Sequence, residues 1–267
     1  YQRIRRAGGL YSGHDVPALV QATVQSQQSE DVVLEHYRAF RNKTLYSGYH
    51  AASLTAMALR NKIDPTKLHE KYQEIRSGYS LYSGHDVPAL LGSHLASGKS
   101  IPEVMARYQE FRQQSLYSGK DAPALANASL LTGQSVEEVM DVYRAFRSEH
   151  LYTGYHAVQL TALSLLSGAS HETVMAYYKK VRQESLYSGK HTATLVSASI
   201  GMLRGSEFFD HESSSAFSSG NGYSSSYDHS SSGFNMGWAI AGDLMDNGSL
   251  DFSGGFIGGG LIGGMFD

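Results

Sequence analysis

Apolar residues return along most of this chain at helical spacing. Val104, Met105, Tyr108, Phe111 and Arg112 fall at i, i+1, i+4, i+7 and i+8, one face of a 3.6-residue helix. The same face recurs as Val139, Met140, Tyr143 and Phe146. Ahead of each such stretch lies another apolar segment, headed by Leu-Tyr-Ser-Gly at Leu10, Leu45, Leu81, Leu116 and Leu186 and by Leu-Tyr-Thr-Gly at Leu151. The spacings are 35 or 36 residues throughout. A unit therefore reads L-Y-S-G-x-[DH]-x-P-A-L, an apolar run, a break, and V-M-x-x-Y-x-x-F-R. A fixed period of this length signals stacked supersecondary units, because one hairpin cannot bury its own apolar faces. The expected fold is all-α, an α-solenoid of about six 35-residue helical hairpins, or a ring if its curvature closes. With a remnant at Gln2 to Arg6 and a last segment at Leu195 to Arg204, the pattern predicts about eleven full helices.

The breaks support two helices per unit. Gly98, Gly133 and Gly168 end the first helix, where a left-handed residue is favoured. Ser100 with Glu103 and Ser135 with Glu138 are spaced as capping boxes for the second. Pro17, Pro88 and Pro123 belong in a first helical turn, which predicts Asp15, Asp86 and Asp121 as caps in preference to the preceding serines. Units without this proline have Ser47, Thr153 and Ser188 as earlier starts. A longer period overlies the short one: residues 37–59 and 143–165 agree at 15 of 23 positions, so three units duplicated together. Neither end of the array turns wholly polar, which predicts an apolar end able to pair with another chain.

Beyond residue 205 the helical pattern stops. Residues 206–236 read as a Ser-rich flexible linker carrying Phe217, Tyr223, Tyr227 and Phe234, and residues 237–267 as a Gly-rich apolar segment. The apolar run from Gly254 to Phe266 is 13 residues long, short of the roughly 20 that span a bilayer, so no transmembrane span is expected. Charge divides at the same place. Of 22 bases and 25 acids, none of the bases and eight of the acids lie after residue 205, a balance of +5 against −8. The absence of cysteine removes disulfides and thiolate chemistry. The chain begins at Tyr1 and assigns itself no compartment.

Candidate chemistry is copied down the array. Arg5, Arg41, Arg76, Arg112, Arg147 and Arg182 end each second helix, near the negative pole of its dipole. One tyrosine column (Tyr11, Tyr46, Tyr82, Tyr117, Tyr152, Tyr187) follows Leu in the signature, and another (Tyr1, Tyr37, Tyr72, Tyr108, Tyr143, Tyr178) lies on the apolar face; both are expected to be mostly core. His14 and His85 share one repeat position, with Lys120 and Lys190 at its equivalents. His50, His156 and His191 share the next, alternating with aspartate. Equivalent positions lie about 10 Å apart at helix-packing distance, whereas ligands of one metal converge within about 4 Å, so no metal shared down a column and no cofactor are expected, although two neighbouring side chains can still converge if the edge is concave. Ser12, His14 and Asp15 sit too close along the chain to work as a triad. Gly258, Gly260 and Gly263 spell G-x-G-x-x-G with no room for the helix it needs.

Gly84 to Val87 and Glu138 to Arg147 resemble the G-[HN]-[DH]-[LV] start and the E-V-x-x-x-Y-x-x-[LF]-[KR] second helix of an uncharacterised bacterial family of α-helical hairpin repeats, a domain of unknown function. The resemblance covers residues 1–205 and implies an all-α repeat fold, with no activity attached. In architecture the unit is similar to tetratricopeptide and pentatricopeptide solenoids, although the tetratricopeptide Trp and Ala positions are absent. Because an active site needs one irregular constellation and these residues are repeated, the expected function is a non-catalytic interaction or self-assembly scaffold. Its partner would be a protein or peptide or another copy, and its acidic tail would dock on the array. Nucleic-acid binding along the arginine ladder is the alternative. An enzyme with a His/Asp groove is the third, with His94 as the one residue that departs from the repeat.

Overall fold

This computed structural model describes residues 2–6, 10–13, 15–183, 192–193 and 195–196. Among the described residues there are eleven α-helices, one short 3-10 turn and no strand. They are α1 (Gln2–Arg6), α2 (Asp15–Ser26), α3 (Glu30–Arg41), α4 (His50–Asn61), α5 (Pro65–Gly78), α6 (Asp86–Ser97), α7 (Ile101–Arg112), α8 (Ala122–Thr132), α9 (Val136–Ser148), α10 (Tyr155–Ser167) and α11 (His171–Gln183). The pairs α2/α3, α4/α5, α6/α7, α8/α9 and α10/α11 are five hairpins. Each first helix packs on the next hairpin's first helix, and each second helix also packs on the first helix that follows it. None of the described helices is long and apolar enough to cross a membrane.

The core is the face read from the periodicity. Tyr37, Tyr72, Tyr108, Tyr143 and Tyr178 are fully buried, with Phe40, Phe111 and Phe146 beside them. Ile4 of α1 joins the same core, while Gln2, Arg3, Arg5 and Arg6 face solvent.

Both capping boxes form: Ser100 with Glu103 opens α7 and Ser135 with Glu138 opens α9. Gly98, Gly133 and Gly168 adopt φ of +67°, +74° and +67° at the ends of α6, α8 and α10. In the first two hairpins that left-handed place is taken by Gln27 and Lys62, at φ 54° and 53°. This conformation costs a side chain about 1 kcal/mol, and it is why the two breaks are silent in the sequence.

The first helices start differently from the expectation. His85, not Asp86, stands at the N-cap of α6, whereas Asp121 does stand at the N-cap of α8; neither makes a side-chain cap bond to the helix that follows. The serine begins a tight turn instead: Ser118 Oγ accepts from Lys120 N while Asp121 reaches back to Ser118 N, a capping box on a 3-10 turn that runs into α8. Three residues of turn keep the proline in the first turn of the helix proper. Ser47 and Thr153 head the same turn, accepting from His50 N and His156 N through their carbonyls, and the helix does not start earlier at Ser47.

Candidate functional site

In each hairpin the buried tyrosine of the second helix ties the two helices together. Its hydroxyl accepts a hydrogen bond from the backbone N–H of the signature tyrosine: Tyr37 from Tyr11 at 2.8 Å, Tyr72 from Tyr46 at 3.0 Å, Tyr108 from Tyr82 and Tyr143 from Tyr117 at 2.9 Å, Tyr178 from Tyr152 at 2.8 Å. Its one proton then goes to the first turn of the first helix. Tyr37, Tyr108 and Tyr143 donate to Asp15, Asp86 and Asp121 at 2.6, 2.8 and 2.9 Å. Tyr72 and Tyr178 meet Nδ1 of His50 and His156 at 2.8 Å. Because the hydroxyl spends its proton on Nδ1, His50 is neutral with its own proton on Nε2. The Asp/His alternation thus keeps one acceptor for one tyrosine proton.

Burial dominates the electrostatics of these nodes. It raises the carboxyls of Asp15 and Asp86, and that of Asp121 to about 6, against the tyrosine hydrogen bond and the nearby arginine, which favour the charged form. It lowers His50 to about 4, with the charges of His85 and Arg76 acting in the same direction. The Tyr108 phenol is pushed up to about 12 by its burial and by Asp86.

The signature tyrosines themselves are not core. Tyr11, Tyr46, Tyr82, Tyr117 and Tyr152 keep 47–51% of their surface exposed. Each of the first four lies on the signature glycine of the next hairpin, at Gly48, Gly84, Gly119 and Gly154. A Cβ on Gly119 would sit 2.5 Å from Tyr82 Cδ2, so only glycine leaves room for the ring. Gly119→Ala is therefore expected to cost about 1–3 kcal/mol through overpacking. Urea unfolding in a cycle with Tyr82→Ala checks this: adding Tyr82→Ala should remove most of the glycine penalty, and purely additive losses would contradict the steric account.

The arginine ladder serves the same lock. Arg41, Arg112, Arg147 and Arg182 lie 4.7–5.2 Å from the ring centroids of Tyr11, Tyr82, Tyr117 and Tyr152. Arg112 also reaches the Tyr108 hydroxyl at 3.4 Å. Arg76 departs from the pattern. In its hairpin the Tyr46 ring is flanked by His50, stacked at 6.1 Å, and by His85, edge-on at 4.9 Å.

His14 and His191 lie outside the described residues, as does the whole tail, 206–267. His50 and His85 come together, with Nε2 of the first 3.2 Å from Nδ1 of the second. The two repeat positions, treated separately along the sequence, meet across hairpins: the fifth residue from Tyr46 inward touches the equivalent of its neighbour one place earlier in the next unit. His156 keeps its tyrosine contacts at Tyr178 and Tyr152.

His94 turns out to follow the repeat. Its Nδ1 bonds to the carbonyl of Lys99, as Ser129 Oγ does to Gln134 and Ser164 Oγ to Ala169, each five residues on. Lys71 closes Nε2 at 3.0 Å. Arg107 makes the corresponding link to Ser129 and to the Gln134 carbonyl, a cross-hairpin tie that no sequence motif announces. Among the described residues no three His, Asp or Glu side chains gather as metal ligands. Compared with known proteins, the chain matches no family, no curated protein and no solved structure.

Proposed function

We propose that the chain is a non-catalytic interaction or assembly scaffold, an α-solenoid of helical hairpins whose row of signature tyrosines is the contact edge. The observation that carries this reading is the half-exposure of Tyr11, Tyr46, Tyr82, Tyr117 and Tyr152 in equivalent places. An aromatic ring held from beneath by glycine, from the side by arginine and through its backbone by a buried hydroxyl has little entropy left to lose on binding. One such ring per hairpin suits an extended protein segment with apolar and acidic side chains. The tail has that composition: aromatic residues, eight acids and neither Lys nor Arg.

The arginines support a structural over a phosphate-gripping role. Four of them rest on their own tyrosines, which leaves fewer free cations for a nucleic-acid backbone. Joint replacement of Tyr46, Tyr82 and Tyr117 by Leu in the full chain tests the scaffold. Leu keeps apolar bulk over the glycines, so circular dichroism should be retained. Self-association by light scattering and partner capture should both fall by at least tenfold. A wild-type chain that is strictly monomeric and captures nothing, or a triple variant indistinguishable from it, would sink the proposal.

A further inference from the structure

We infer that His50 and His85 form a two-imidazole site for a divalent first-row transition metal, seated between the second and third hairpins. Two imidazole nitrogens bound to one ion at about 2.0–2.1 Å lie about 2.9 Å apart at the right angle of a tetragonal ion and about 3.3 Å apart at a tetrahedral one. His50 Nε2 and His85 Nδ1 already stand at 3.2 Å, with their rings inclined at 76°, so the pair needs little rearrangement to share an ion. The rings are fixed from outside the pair. Tyr72 Oη holds the far nitrogen of His50, and the Tyr46 ring braces both imidazoles. A metal-bound histidine donates its far N–H, so the Tyr72 oxygen, a donor to His50 in the metal-free pair, becomes the acceptor that orients the ring.

Protons balance without net release. In the metal-free pair His50 Nε2–H points at His85 Nδ1. When the ion enters, the His50 proton moves to Nδ1 and is donated to Tyr72 Oη, which also accepts from Tyr46 N–H, and the Tyr72 hydroxyl proton gives up its bond to Nδ1 and turns away, a cost the metal–nitrogen bonds must exceed. His85 keeps its proton on Nε2 and gives the lone pair of Nδ1. His85 is only half-buried, so entry and the remaining coordination positions open on its side. The Arg76 cation acts on His50 and opposes the incoming charge. That makes copper(II), which binds nitrogen ligands most strongly of the common divalent ions, the right probe.

The repeat supplies variants that keep the fold. Aspartate stands at the His50 position in the first, third and fourth hairpins, and tyrosine stands at the His85 position in the second and fifth. Metal-free full-length wild type, His50→Asp and His85→Tyr are titrated with copper(II) chloride by calorimetry and electron paramagnetic resonance. Wild type should bind its tightest equivalent with a two-nitrogen signature, and the His50 and His85 ring protons should broaden before those of the other histidines. Each variant should lose that equivalent and bind its first copper at least tenfold more weakly. Copper should raise the unfolding midpoint of wild type and leave those of both variants unchanged. Equal first-site affinity in wild type and His85→Tyr, or broadening that starts at other histidines, would overturn the assignment.

Discussion

Tyr143→Phe lowers the stability of the chain by about 3 kcal/mol at pH 8 and by about 1 kcal/mol at pH 5, the scale of an orphaned buried charge in one case and of one orphaned buried amide in the other. The substitution keeps the ring in the core and removes one oxygen with two jobs. The N–H of Tyr117 loses its acceptor at every pH. Asp121 loses a donor that favours its charged form. Burial has already raised that carboxyl to about 6, so at pH 8 it is ionised and left without its strongest partner, while at pH 5 a proton is available to neutralise it. Urea unfolding of the full chain at the two pH values reads the difference. Hydrogen exchange at the Tyr117 amide gives a local reading, since its protection depends on Tyr143. Equal losses at both pH values would refute the coupling between hydroxyl and carboxylate.

His50→Asp reverses the sign of one hairpin's response to acid. The folded pKa of His50 is about 4 against an unfolded value of 6.5. Its stabilising contribution is therefore complete above pH 6.5 and lost as pH falls toward 4, by about 3 kcal/mol. Asp121 runs the other way: with a folded pKa of about 6 and an unfolded value of 3.8, its contribution is complete below pH 3.8 and lost as pH rises through 6, again by about 3 kcal/mol. Asp15 and Asp86 are raised in the same direction as Asp121. Putting an aspartate in place of His50 exchanges one behaviour for the other. Relative to wild type, the variant should gain several kcal/mol at pH 4 over its standing at pH 7, since the two terms add on exchange. Denaturant midpoints measured across pH 4–7 decide it: parallel profiles for the two proteins would show that the His50 environment does not set the slope.

The hairpins were legible because periodicity and punctuation are local. Val104, Met105, Tyr108 and Phe111 share a face by arithmetic alone, and Ser100 and Glu103 meet three residues apart. The turn before each first helix was misread because proline marks the first helical turn but not the 3-10 turn that leads into it. Tyrosine misled in a different way. Tyr108 and Tyr82 are alike in sequence terms, yet the first is buried and the second half-exposed. What separates them is a glycine 37 residues after Tyr82, and a contact of that separation has no signature within one repeat. That His50 and His85 are the residues that converge has no signature within one repeat for the same reason. Distances within one column are set by helix packing, whereas the pair joins two columns.

The tyrosine-on-glycine contact also has a hereditary consequence. A loop ring in one hairpin needs a glycine in the next, so the heritable unit is not the hairpin but the stretch from one signature to the next, with its socket carried along. Gain or loss of whole periods leaves each ring a seat, and a crossover inside a signature leaves a ring without one. The match between residues 37–59 and 143–165 is the trace of such an event. It copied His50 to His156 and Tyr46 to Tyr152, and each histidine meets the buried tyrosine of its own hairpin. Lengthening the array by whole periods multiplies each ring and its glycine seat together.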